Sequence, residues 1–168
     1  MASTQENLMG AFAGESQANR RYLAFAKKAD SEGYHQIARL FRAAAAAETI
    51  HAHAHLRVAG QIGSTEENVK EAIKGESFEF MSMYPEYIQA AKDENEKSAE
   101  QSFSFANEVE KIHAELYQGA SDALEASKDL PDTAYYVCPV CGYTVAMGEA
   151  PDKCPICNTA KEKFNAVT

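Results

Sequence analysis

Apolar residues recur at helical spacing through the first three quarters of the chain. Leu8, Phe12, Tyr22 and Ala26 share a stripe with Glu15 and Asn19, which predicts an amphipathic helix that Gly33 ends. Ser3 followed three residues later by Glu6 is a capping-box signature at its start. A second stripe runs Ile37, Leu40, Phe41, Ala44, Glu48, His51, His55 and Val58 and stops at Gly60. Ser64 with Glu67 repeats the box and opens a third, through Val69, Ala72, Glu76, Glu79, Met83, Tyr87 and Ala90. The fourth reads Ala99, Phe103, Ala106, Glu110, His113, Tyr117, Ala120 and Leu124. Four helices of roughly 25 to 30 residues follow from this pattern. The break between the third and fourth, placed near Asp93 to Glu96, has neither Gly nor Pro. Pro85 is expected to kink the third helix.

Composition divides the chain near Leu130-Pro131. Before that point it is rich in Ala, Glu, Gln, Lys and Leu, whereas four of the five prolines and all four cysteines come after it. Residues 1–130 are therefore expected to form a helical domain and residues 131–168 a small second one. The Ala43 to Ala47 run reads as close helix packing. It is also the longest aliphatic run, far short of the ~20 residues a bilayer demands, so no membrane partner is expected. Met1 to Gly10 lacks the basic start and apolar stretch of a secretory leader, and a cytoplasmic location is expected.

Charge sharpens the picture. Sixteen Lys and Arg stand against 25 Asp and Glu, a net charge of −9, which argues against nucleic acid as a partner and leaves an excess of carboxylates to explain. Five of them, Glu15, Glu48, Glu76, Glu79 and Glu110, fall in the middle of stripes that ought to face the core. Burying them unpaired would be expensive, so cations are expected among them. Glu48 with His51 and Glu110 with His113 are Glu-x-x-His pairs, one helical turn apart, able to converge on an ion. His53 points off the stripe and His55 lies a turn beyond, and both read as ordinary helix residues. Glu15 to Glu48 spans 33 residues and Glu76 to Glu110 spans 34, as a two-helix hairpin used twice would give. The whole set resembles the ligand pattern of ferritin-like di-iron bundles: one Glu from each of two helices and Glu-x-x-His from the other two.

The tail carries Cys138-Pro-Val-Cys141-Gly-Tyr and Cys154-Pro-Ile-Cys157-Asn, with 12 residues between the two Cys-x-x-Cys units. In a chain without a secretory leader this spacing indicates a four-thiolate metal site rather than disulfides. Zinc and iron both accept tetrahedral sulfur. So short a tail also needs a staple of this kind to fold.

Glu15, Glu48-x-x-His51, Glu76-x-x-Glu79, the Met83-Tyr84-Pro85-Glu86-Tyr87 run, Glu110-x-x-His113 and the Cys-Pro-x-Cys-Gly-Tyr knuckle together resemble rubrerythrin over nearly the whole chain. The resemblance implies an all-α, four-helix ferritin-like bundle followed by a rubredoxin-like domain. Its cofactors would be two irons in an oxo- or hydroxo-bridged site and one Fe(Cys)4. It further implies a peroxidase for oxidative-stress defence. Hydrogen peroxide would be reduced to water with electrons relayed through the rubredoxin-like iron, from an external donor such as rubredoxin or an NAD(P)H-dependent reductase. Under that resemblance Glu48 and Glu110 bridge, Glu15, Glu76 and His113 are terminal ligands, and His51 and Glu79 alternate on one iron with redox state. Tyr22 and Tyr84 match tyrosines near the di-iron site. A ferroxidase or iron-handling role using dioxygen is the alternative, and a zinc-stapled structural module is a third reading that the five core carboxylates oppose.

Chain length adds one more expectation. In the ferritin-like arrangement the second and third helices run parallel, so their link must travel the bundle, ~38 Å for about 25 helical residues. Gly60 to Ser64 spans at most ~18 Å at full extension. A homodimer in which the first two helices of one chain pack against the last two of another satisfies both constraints. An up-down-up-down bundle is the alternative.

Overall fold

The expected helices form, and their ends fall at the punctuation read from the sequence. The computed structural model describes residues 2–167. Helix α1 runs Thr4–Ser31 behind Ser3, whose hydroxyl accepts from Glu6 N while the Glu6 carboxylate accepts from Ser3 N at 2.6 Å. Such a reciprocal cap contributes about 1 kcal/mol. Helix α2 covers His35–Val58, and Gly33 and Gly60 follow the two helices with φ of 84° and 70°. Helix α3, Thr65–Phe78, carries the same box on Ser64 and Glu67.

The expected disturbance at Pro85 takes the form of a π turn, Glu79–Met83, immediately before α4, Tyr84–Asp93. Pro85 sits in the first turn of α4, where its missing amide is harmless. The carbonyl its ring would strike lies four residues back, at Met81, inside the wider π turn. The break before α5, Lys97–Glu125, is made by Asn95 at φ 60°, the residue after glycine that best tolerates this region.

Contacts divide the chain into two compact units, Met1–Gly63 and Ser64–Thr168. The first is the α1–α2 hairpin. Its seam is built on alanine: Ala26 and Ala29 of α1 are buried, as are Ala38, Ala45, Ala52 and Ala59, spaced by sevens along α2 and just past its end. Small residues let the two backbones approach closely, and hydrogen bonds lock the register. Asn19 Nδ2 donates to Ala45 O at 2.6 Å, and Gln5 Nε2 to Ala59 O at 2.9 Å. The stripe expected to face the core behaves differently. Ile37, Leu40 and Val58 are 48%, 68% and 71% exposed, because α2 centres its alanine face on α1 and leaves these three off the seam, while Phe41 of the same stripe packs against it.

In the second unit α3, the π turn and α4 pack along α5. Tyr84, Tyr87 and Phe103 interlock, with ring centroids 5.6–6.3 Å apart. The tail forms a three-stranded antiparallel sheet of order β2-β1-β3, from β1 Tyr135–Val137, β2 Thr144–Ala146 and β3 Asn165–Val167. Tyr136 pairs with Val145 on one side and Ala166 on the other.

Candidate metal centres

Three groups of ligand-type side chains gather among the described residues, each with its donor atoms within 4.8 Å of one another: Glu15, Glu48 and His51; Glu76, Glu110 and His113; and the four cysteines. The first belongs to the α1–α2 hairpin. His51 Nδ1 lies 3.1 Å from Glu48 Oε2, one turn away on α2. The carboxyl of Glu15 hydrogen-bonds to Glu48, which holds Glu15 above the usual carboxylate range and Glu48 below it. Two carboxyl groups sharing one proton are a place for a cation to displace it.

The second group lies between α3 and α5. His113 Nδ1 is 2.8 Å from Glu110 Oε2 and 3.8 Å from Glu76 Oε2. Burial raises the Glu76 carboxyl, against the pull of His113 and with added repulsion from Glu110. Glu79 stands outside this triad, and burial followed by the Glu76 charge raises it. Tyr84 is likewise raised, first by burial and then by Glu110, Glu79 and Glu76. Tyr22, in the first unit, packs its ring 6.1 Å from Phe41 and 6.4 Å from Phe25. His53 and His55 join neither triad.

The third group is held by two matching knuckles. Cys138 N donates to Tyr143 O and Gly142 N to Cys138 O; Cys154 N donates to Thr159 O and Asn158 N to Cys154 O. The residue after each second cysteine needs positive φ, supplied by Gly142 at 87° and Asn158 at 61°. Sγ atoms of Cys138 and Cys157, and of Cys141 and Cys154, lie 3.5 Å apart. A disulfide would bring them to ~2.05 Å, whereas a tetrahedral site with metal–sulfur bonds of ~2.3 Å has edges of roughly 3.8 Å. The thiols thus fit a metal. Burial raises Cys141 and Cys154, while Cys157, against the burial that would raise it, is brought down to about 6 by the Thr159 hydroxyl and amide and by neighbouring thiols.

Two residues in these surroundings escaped the sequence reading. Thr159 bonds Cys157 Sγ at 3.0 Å, and Thr144 Oγ1 lies 3.0 Å from His113 Nε2 across 31 residues of chain. The first is signalled only by its place after the knuckle. The second has no local signal.

Carboxylate–imidazole triads on long helices, joined in one chain to a four-thiolate module, define a class of metalloprotein with two kinds of metal site. The Rubrerythrin family model matches residues 6–121, and that for the rubrerythrin rubredoxin-like domain matches residues 136–165. Rubrerythrin-2 of Clostridium acetobutylicum is 42% identical, covering 98% of this chain and 97% of its own. Nigerythrin of Nitratidesulfovibrio vulgaris is 38% identical, over 99% and 87%. A solved structure of nigerythrin in a partially reduced state superposes with a TM-score of 0.59 at 38% identity, covering 99% of this chain and 88% of that one. The chain belongs to the rubrerythrin family. It combines ferritin-like helices bearing a di-iron carboxylate site with a rubredoxin-like four-cysteine site. No helix among the described residues is long and apolar enough to cross a membrane.

Proposed function

We propose that this protein is a peroxidase that reduces hydrogen peroxide to water in defence against oxidative stress. The observation that carries the reading is the presence in one chain of two carboxylate–imidazole triads and a four-thiolate site. When bound, iron supplies a two-electron reductant among the carboxylates and a one-electron carrier among the thiolates. Each turnover consumes peroxide, two electrons and two protons and yields two waters. Residues 1–130 form the di-iron domain and residues 131–168 the Fe(Cys)4 domain.

The side chains divide the work as follows. Glu48 and Glu110 would be the ligands shared by the two irons, and Glu15, Glu76 and His113 would be terminal ligands, each to one of the two. His51 and Glu79 would serve the same iron in different redox states, imidazole suiting a less charged ferrous ion and carboxylate a ferric one. The phenol of Tyr84, raised by burial and by Glu110, Glu79 and Glu76, keeps its proton beside the site. Tyr22, whose ring packs on Phe25 and Phe41, is the tyrosine we assign to the other triad.

Electrons come from an external donor, rubredoxin or an NAD(P)H-dependent reductase. A reducing cytoplasm suits four free thiols. The ferroxidase alternative gives those thiols no task. Iron-loaded protein supplied with peroxide and reduced rubredoxin should turn over, and Cys157→Ser should abolish steady-state turnover while sparing one oxidation of chemically reduced protein. Full turnover by Cys157→Ser would sink the relay.

The protein acts as a homodimer in which α1–α2 of one chain completes its site with α3–α5 of another. Helix α2 has 24 residues, ~36 Å, which the short link after it cannot retrace. The exposed Ile37, Leu40 and Val58 on the stripe of Glu48 and His51 also call for a cover. Co-expressed Glu48→Ala and Glu110→Ala chains, each inactive alone, should form heterodimers with one intact site of two. No recovery of activity in purified heterodimers would exclude the exchange.

A further inference from the structure

The hydroxyl of Thr144 joins the thiolate knuckle to a ligand of the carboxylate site within one chain. Thr144 opens β2, three residues after Cys141. Its Oγ1 lies 2.9 Å from Gly142 O, a carbonyl that can only accept, so the single hydroxyl proton points there. The same Oγ1 lies 3.0 Å from His113 Nε2. With its proton engaged, the oxygen can only accept from the ring, and Nε2 must carry the hydrogen. When a cation takes the place of a proton beside the carboxylates, the neutral ring keeps its hydrogen on Nε2 and offers its lone pair from Nδ1. That atom faces Glu110 Oε2 at 2.8 Å and Glu76 Oε2 at 3.8 Å, the position where a cation would sit. A hydrogen bond of this kind on the far nitrogen is how proteins fix the tautomer and orientation of a ligating histidine.

The contact is built into the packing. Gly142 follows Cys141 directly, and a Cβ placed on it would come 3.6 Å from Val109 Cγ1. Val109 is 2% exposed and lies one turn before His113 on α5. The knuckle turn therefore rests on the face of α5 that carries the ligand. From Cys141 the connection runs through one peptide to Gly142 O, across a hydrogen bond to Thr144, and across a second to His113.

We propose that Thr144 is a positioning residue: its hydroxyl fixes His113 as the Nε2–H tautomer and carries the electronic coupling between the thiolate site and the carboxylate site to which the same chain contributes His113. The coupling rests on the peroxidase reading above. With iron bound at both sites, the step would pass one electron from the ferrous thiolate iron, which is oxidised, to the ferric carboxylate site, which is reduced.

Two substitutions test it in the full-length protein. Thr144→Val keeps the shape and removes the hydroxyl, and Thr144→Ser restores it. In zinc-loaded protein, nitrogen-resolved NMR should show an exchange-protected Nε2–H on His113 in wild type and Thr144→Ser, and lose that protection in Thr144→Val. In fully reduced iron-loaded protein mixed with one equivalent of peroxide, the visible band of the oxidised thiolate iron should grow about tenfold more slowly in Thr144→Val. Thr144→Ser should lie within about twofold of wild type. The thiolate spectrum and thermal midpoint should not change, which separates positioning from a general loss of fold. An unchanged His113 proton signal or an unchanged band rate in Thr144→Val would overturn the proposal. Wild-type protein inert to peroxide would overturn the peroxidase reading instead, and the NMR comparison would still decide the role of the hydroxyl at His113.

Discussion

His51 and His113 make the same contact in the two units, each presenting Nδ1 to a glutamate one turn earlier on its own helix, at 3.1 Å and 2.8 Å. A helix brings residues three apart onto one face, so each pair is set by local geometry alone.

Removing either glutamate should empty the carboxylate site and leave the thiolate site alone. Glu110→Ala is expected to retain one iron per chain, with the full red absorption of Fe(Cys)4, against three irons in the unaltered protein. Metal analysis with a visible spectrum checks this. Three irons in the variant would remove Glu110 from the ligand set.

The metal-free chain should respond to pH in the sense opposite to the loaded one. Burial raises Glu76 and Glu79 above the ordinary carboxylate value of about 4.3, so the fold holds their protons more tightly than the unfolded chain does. Their contribution is present at low pH and is lost as pH rises through the raised values. The melting temperature of metal-free protein should therefore increase as pH is lowered from about 8 to 5, and Glu76→Gln should flatten the slope. Iron-loaded protein should weaken over the same range as protons compete for the ligands. A metal-free melting temperature that climbs with pH would contradict this assignment.

Ala45 is 1% exposed at the centre of the α1–α2 seam, and its carbonyl receives the Asn19 amide. Ala45→Leu should force the helices apart and cost about 1–3 kcal/mol. Chemical denaturation of the metal-free protein measures it. Ala46 is exposed, so Ala46→Leu is the control and should have little effect.

What was legible in the sequence was local. The Ser3–Glu6 and Ser64–Glu67 boxes, the Glu-x-x-His pairs and the cysteine knuckles are each defined within a few residues, and each forms at its predicted place. The alanine seam was missed because Ala38, Ala45, Ala52 and Ala59 carry little hydrophobic signal beside Leu40 or Val58, although their sevenfold spacing was there to see. Asn95 ended α4 in the role usually given to glycine. Pro85 marked a disturbance in the third helix, but its form, a π turn at Glu79–Met83, is set by packing along α5 that the sequence does not show. Thr144 meeting His113 needed the fold itself.

Peroxide, not dioxygen, is the oxidant proposed for the carboxylate site. Stopped-flow mixing of fully reduced, iron-loaded protein with each oxidant at equal concentration tests it most directly. Reoxidation by hydrogen peroxide should be at least about a hundredfold faster than by dioxygen, a barrier difference of roughly 2.7 kcal/mol. Equal rates, or faster reaction with dioxygen, would contradict it and favour the ferroxidase reading.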